Sequence, residues 1–280
     1  MIARSVALTL ALTAAAPAFA QDQPPRSDAA DNRITLGLGI ATMPDYEGSN
    51  DNVLTPMPAA IGQVDGYGFN LIGNRISVDV IRNSPGPVWD FQAGPIAVVN
   101  LNRNSIKAID DPRVKALGKL GTAIELGGYV GVGKTGVITS DYDKLSASLS
   151  YRHDVSGVHD SGIWTGSVTY FTPLSRKAAV GLFGAVNFAQ TKYAQTYFGV
   201  SPAQSVVSGL PAFDASGGMK DWNLGAMATM SLTGDLTNGL ALVVGGNYRR
   251  LTDDFAATPI TAIAGSRDQW TAGAGLAYTF

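Results

Sequence analysis

The final stretch, Arg267-Asp268-Gln269-Trp270-Thr271-Ala272-Gly273-Ala274-Gly275-Leu276-Ala277-Tyr278-Thr279-Phe280, restricts the fold most. Read with a period of two, Trp270, Ala272, Ala274, Leu276, Tyr278 and Phe280 share one face. Thr271, Gly273, Gly275, Ala277 and Thr279 share the other. The apolar row begins and ends in aromatics about ten residues apart, the length a tilted strand needs to cross a bilayer with a ring at each interface. This pattern predicts the closing strand of a transmembrane β-barrel.

The rest of the chain agrees. Met1 to Ala20 (1–20) reads as a secretory signal peptide. Arg4 supplies the positive region, Ser5 to Ala16 the apolar centre and Ala18-Phe19-Ala20 the cleavage site, so maturation is expected at Gln21. Only 15% of residues are charged, there are 33 glycines, and the mean hydropathy is +0.10. A soluble exported chain carries nearer a quarter charged residues, so the deficit calls for a non-aqueous neighbour or a large core. Zero cysteines leave stability to backbone pairing and packing. A net charge of -2 gives nucleic acid no basic surface to bind.

Residues 21–32, with Pro24, Pro25, Asp28 and Asp31, read as a flexible periplasmic leader, and 33–280 as one outer-membrane barrel. Short alternating segments recur throughout. Ile34, Leu36, Leu38 and Ile40 open the series, and Lys144 to Arg152 is its cleanest interior member, with Leu145, Ala147, Leu149 and Tyr151 opposite Ser146, Ser148 and Ser150. About twelve strands are predicted, antiparallel and up-and-down. Asp111-Pro112 carries a cap and a first-turn proline, predicting a short helix over Asp111 to Lys119.

The connections alternate in length. Ser84 to Pro87, Gly133 to Gly136, Pro173 to Lys177 and Thr233 to Gly239 are short; Leu101 to Leu120, Thr191 to Lys220 and Leu251 to Arg267 are long. With Phe280 on the periplasmic side, every short turn falls there and every long loop points outwards, as in outer-membrane barrels. The faces assigned inward carry Asp79, Asp90, Gln92, Glu125, Lys144, Arg152, Asn187, Asn223, Asn247 and Arg249.

Pro44-Asp45-Tyr46-Glu47-Gly48-Ser49-Asn50-Asp51, Pro56-Met57-Pro58, Glu125-Leu126-Gly127, and above all Tyr197-Phe198-Gly199-Val200-Ser201 with Ser208-Gly209-Leu210 and Gly217-Gly218 resemble the MipA/OmpV family of Gram-negative outer-membrane proteins. Phe213 stands where that family has Tyr, and Asn50 where it has Asp. The resemblance, named partly for the MltA-interacting protein, implies a cell outer membrane barrel in contact with lipid and lipopolysaccharide. It also implies a scaffold role in peptidoglycan biosynthesis, joining a lytic transglycosylase to a murein synthase. The chain ending in Phe280 resembles the strand that such barrels present to the barrel-assembly machinery. Rival functions are a small-solute pore or permeability protein and a surface adhesin. The aromatics Tyr193, Tyr197, Phe198, Phe213 and Trp222 suit adhesion or plugging, with an interfacial girdle as the plainer reading for Tyr193 and Trp222.

Chemistry finds little support. The two histidines, His153 beside Asp154 and His159 beside Asp160 and Ser161, read as surface-loop residues, because neighbours along a strand point apart whereas a triad must converge. No Gly-x-Ser-x-Gly elbow occurs. Asp45, Glu47 and Asp51, with Asn50 and Asn52, offer oxygen ligands without the spacing of a calcium loop and read as a solvated acidic loop. Gly131 to Gly136 has the wrong spacing for a phosphate loop and reads as a strand end and turn. No enzyme, cofactor, metal site or catalytic residue is expected.

Overall fold

A computed structural model describes residues 32–82 and 89–280. The signal peptide expected at 1–20, the leader expected from 21, up to Asp31, and the turn expected at Ser84–Pro87 lie outside the described residues. Twelve antiparallel strands close into a barrel, each paired with its sequence neighbours and β1 with β12. They are β1 (Arg33–Pro44), β2 (Asn52–Val64), β3 (Tyr67–Ile72), β4 (Arg75–Val78), β5 (Trp89–Asn100), β6 (Ala123–Thr135), β7 (Lys144–Asp154), β8 (Gly162–Pro173), β9 (Ala178–Ala189), β10 (Gly218–Ser231), β11 (Gly239–Leu251) and β12 (Asp268–Thr279). Closure leaves no free edge strand, the condition for putting a sheet in hydrocarbon; among the described residues, the part of β2 beyond the short β3, Asn52 to Met57, lacks a strand on one side.

The register carries the alternation around the wall. Leu38 of β1 lies beside Leu276 of β12, which lies beside Leu242 of β11, so a continuous apolar band faces outwards. Glycines on the lumen side, such as Gly39 beside Gly275, let the closing strands approach: a Cβ on Gly39 would stand 2.7 Å from the Ala274 carbonyl. Tyr151 stacks on Trp164 at 4.7 Å, and Tyr248 lies between Trp222 and Trp270 at 5.5 and 4.8 Å, forming an outward girdle at the loop end. Tyr278 and Phe280 stack at the other end, 4.8 Å apart. From Trp270 to Phe280 is roughly 33 Å of strand, which a tilt of about 40° turns into about 25 Å of height, the apolar band of such barrels.

Among the described residues, the short connections 65–66, 174–177 and 232–238 lie at the end of Phe280, and the long ones 101–122, 190–217 and 252–267 at the other. The turn expected at Gly133–Gly136 is shifted: β6 continues through Thr135, and residues 136–143 form the connection. There the Asp143 carboxylate accepts the backbone N–H groups of Val137, Ile138 and Thr139. These bonds outweigh the cost of its burial and hold its pKa well below the usual range. β4 stops at Val78 although its alternation runs on to Ile81, because Asp79 turns inward and accepts the N–H groups of Ile81 and Ala93.

The long loops contain five short helices: α1 (Pro112–Ala116), α2 (Thr191–Phe198), α3 (Pro202–Ser208), α4 (Asp253–Ala257) and α5 (Pro259–Ala262). Asp111 caps α1 as expected, accepting from the Arg113 and Val114 N–H groups. Asp111→Ala is expected to cost roughly 0.5–2 kcal/mol, read as faster amide exchange over α1 with the barrel strands unchanged.

The hydrophobic core sits in these loops. One cluster joins Tyr193, Ala194, Tyr197, Phe198, Ala215 and Phe255 to the strand ends at Ile163, Ala189 and Leu251. The other joins Tyr46, Ile109, Val114, Leu117, Val200, Leu210, Ile260 and Ala264. Four loops therefore fold into one cap over the barrel mouth.

Candidate functional site: the capped lumen

Beneath the cap a belt of polar side chains runs strand to strand. Asn100 of β5 donates to Glu125 of β6 at 2.9 Å, and Arg152 of β7 donates to the other Glu125 oxygen at 2.5 Å. Arg152 also reaches Thr165 of β8 at 3.1 Å, Thr165 donates to Asn187 of β9 at 2.6 Å, and Asn187 donates to Asp221 of β10 at 2.7 Å. Arg249 of β11 then spans Asp221 and Glu47, at 3.8 and 3.5 Å. Seven consecutive strands thus contribute, and Glu47 hangs down from the β1–β2 loop to complete the row.

A bulge makes this possible. In a regular strand Lys220 and Asp221 would face opposite ways, but the β9–β10 register shifts between Met219 and Asp221, and both side chains are buried inside. Lys220 donates to Glu47 at 2.7 Å and lies 5.2 Å over the Tyr193 ring, while the Tyr193 hydroxyl donates to the second Glu47 oxygen at 2.7 Å. Glu47 reaches this place because Gly48 adopts a φ of 101° and tucks under the β11–β12 loop, where a Cβ would meet the Thr261 hydroxyl at 2.5 Å. The three carboxylates Glu47, Glu125 and Asp221 face the three cations Arg152, Lys220 and Arg249.

Burial opposes ionisation of Glu47, but Lys220 and Arg249 outweigh it and bring its pKa down to about 2. A carboxylate held below its unfolded value of about 4.3 stabilises the fold above that pH and loses its contribution as pH falls towards about 2. Protease nicking of the cap in folded barrels is therefore expected to rise between about pH 4.5 and 2, and Glu47→Gln to weaken this pH dependence, leaving the part due to Asp111 and Asp154, whose carboxyls are also held low.

His159 is not the surface residue its sequence context implies. Its ring is buried against Tyr193 and Tyr197, at 5.1 and 5.7 Å, with Nε2 3.3 Å from Glu125. The loop holding it curls inwards because Asp154 accepts the His159, Asp160 and Ser156 N–H groups. His159 Nδ1 and Ser161 Oγ, both buried, have no hydrogen-bond partner among the described residues, so they do not form a Ser–His pair. His153 faces outwards, 3.5 Å from Asp160.

Glu47 likewise leaves the solvated acidic loop assigned to it and is paired in the lumen, whereas Asp45 accepts the Asp110 N–H. Gly131 to Gly136 is the end of β6 and its turn, as read. Trp222 faces the lipid in the girdle as expected. Tyr193 does not: it lies in the cap core with Tyr197 and Phe198, and Phe213 packs against the same core. Buried in the cap, Tyr193, Tyr197 and Phe198 cannot serve as exposed adhesive aromatics, and Phe213 is half-buried.

The inward faces are placed as the alternation predicts. Asp90 and Lys144 form an ion pair near the periplasmic end, with Gln92 bonded to Asp90 at 2.7 Å. Glu125, Arg152, Asn187 and Arg249 belong to the belt, Asn223 and Asn247 sit below it, and Asp79 turns in after β4. Sequence reasoning missed Lys220 and Asp221 as a lumen pair, because a bulge leaves no mark on the alternation. The lower lumen also presents apolar side chains: Ile61, Ile72, Phe171 and Met227 face inward and remain exposed.

The family model described as MltA-interacting protein MipA matches residues 36–280. A comparison with curated proteins finds no match. Among solved structures, an outer membrane channel from Pseudomonas putida F1 is similar at 11% identity and TM-score 0.45, over 92% of this chain and 100% of that one. The Pseudomonas putida toluene transporter TodX is similar at 11% identity and TM-score 0.36, over 91% and 90%. OprD from Pseudomonas aeruginosa is similar at 8% identity and TM-score 0.31, over 89% and 92%. At these identities the likeness is one of fold. A match across nearly the whole described barrel, with lipid-facing girdles and one-sided loops, makes this chain an outer-membrane β-barrel that belongs to the MipA family.

Proposed function

We propose that the protein is a non-enzymatic scaffold of the outer membrane that joins a lytic transglycosylase and a murein synthase to its inner face. One observation carries this reading: the mouth is filled by a cap with its own hydrophobic core, over a belt whose three carboxylates and three cations are mutually paired. A barrel so stoppered is suited to anchoring rather than to passing solutes along its axis. The family description, MltA-interacting protein, points the same way. Contacts with murein enzymes use the turns at 65–66, 136–143, 174–177 and 232–238, the segment 21–32 that the sequence reads as a periplasmic leader, and the wall beside a lipid-anchored partner.

The test is a cross-linked pull-down of the tagged protein from intact cells, with and without Gln21 to Asn32. Enrichment of murein hydrolases and synthases is expected, falling when the segment is removed. Recovery of assembly machinery and lipopolysaccharide alone would overturn the scaffold.

A further inference from the structure

The barrel wall is uneven in height. β2 and β5 have 13 and 12 residues, but the hairpin between them has strands of only 6 and 4. β3 pairs with Ala59 to Val64 of β2, and the chain then turns back at Gly73 and Asn74, whose backbones meet Pro58 and Val99. Asn52 to Met57 therefore have β1 on one side and no strand on the other. The resulting notch spans three interstrand spacings at its mouth, about 14 Å. Its upper side is crossed by the β5–β6 loop, where Asn102 accepts the Glu47 N–H at 3.0 Å and the Asp110 N–H reaches Asp45 at 2.8 Å.

Unpaired backbone facing hydrocarbon is costly, and this edge is built to limit it. The Pro58 carbonyl accepts the Gly73 N–H, so residues 58, 56 and 54 direct their backbone groups into the notch. At Pro56 and Pro58 there is no N–H to leave unpaired. The same prolines bar an added peptide strand, which would need those donors. An apolar occupant remains. The rim is apolar to match: Leu54 is 70% exposed, and Val99, Leu101 and Ile106 are exposed around it.

Just inside the notch stands Arg75, the first residue of β4, which pairs with Ile72 and Val98 and shares their lumen-facing side. It is exposed, and among the described residues no carboxylate lies within ion-pairing distance, in contrast to Arg152 and Arg249 in the belt. An unpaired guanidinium behind an apolar opening at the outer-leaflet side fits a chain with one anionic end.

We propose that this notch is a lateral binding site for a long-chain fatty acid taken from the surrounding membrane. The carboxylate lies on Arg75, and the chain passes between Leu54 and Val99. The inference is independent of the scaffold reading, which concerns the opposite end of the barrel.

The test uses the full mature chain in nanodiscs, with carboxyl-labelled oleate followed by NMR and a photoreactive oleate whose cross-links are mapped by mass spectrometry. Saturable binding is expected, with cross-links at residues 54–58, 72–75 and 98–106. Arg75→Gln should weaken oleate tenfold or more, Arg75→Lys should retain most of the affinity, and oleyl alcohol should bind the parent and Arg75→Gln alike. Asn74→Trp, which fills the notch and keeps the cation, should abolish the cross-links even if Arg75→Gln does not fold. A change of less than threefold in Arg75→Gln, cross-links spread evenly round the wall, or cross-links surviving Asn74→Trp would overturn the site. Displacement by lysophosphatidylglycerol more effective than by oleate itself would overturn the fatty acid as occupant.

Discussion

Excision of residues 191–216, with Gln190 joined to Gly217 through a short turn, is expected to convert an electrically silent barrel into a conducting one. The deleted segment supplies Tyr193, Ala194, Tyr197, Phe198, Val200, Leu210 and Ala215, more than a third of the two loop clusters. Without it, Phe255 and Ile260 lose their partners, and Glu47 loses the Tyr193 hydroxyl. The strand ladder is untouched, since β9 and β10 already pair up to Ala189 and Gly218 and a four-residue turn closes the neighbouring β8–β9 hairpin at 174–177. Barrels of twelve strands lie between the small filled ones and the open porins, so an uncapped lumen of this size holds water. Planar-bilayer recordings of the parent and the excised chain, both first shown to migrate as folded barrels, make the comparison. Steady conductance of the parent would refute the plug, and a folded but silent excised barrel would show that something other than the cap closes the lumen.

Glu125→Ala is expected to destabilise the barrel by about 3–5 kcal/mol, because it leaves the largely buried Arg152 as an uncompensated cation and the buried His159 without its polar partner. Glu125 has a side chain only 1% exposed and gathers Asn100, Arg152 and His159 on its two oxygens. Arg176→Ala, which breaks an exposed pair with Asp235 at 3.2 Å, should cost less than about 1 kcal/mol. The double variant Glu125→Leu with Arg152→Met should recover much of the loss, since removing both buried charges removes their desolvation cost as well. Urea midpoints in one detergent order the four proteins. Equal costs for Glu125→Ala and Arg176→Ala would mean that the belt is wet and that its pairing contributes little.

The reach of the sequence follows from what repeats along it. Strand count, orientation and inward faces were legible because period-two alternation is local: Lys144 to Arg152 announces both its faces without reference to any other segment. Aromatic spacing in the closing strand similarly located the girdles, and Asp111-Pro112 announced α1. Residues whose roles depend on distant chain were misread. Glu47 looks like one acid among several until the bulge at Lys220, far along the chain, brings a buried cation to it. His159 lies in a seven-residue loop, and only the neighbouring α2 supplies the Tyr193 and Tyr197 rings that bury it. Those rings looked like contact surface for the same reason, since nothing local says that four loops will meet over one mouth.

The alternation, the charge deficit and the one-sided loops thus determined by themselves that this chain is a barrel of about twelve strands set in the outer membrane, because each is dictated by the lipid that every strand must face. Only the tertiary structure decided that the mouth is capped, that the lumen charges are paired, and that β3 and β4 stop short beside Pro56 and Pro58. These depend on register, on a bulge and on loop packing, where groups far apart in sequence satisfy one another.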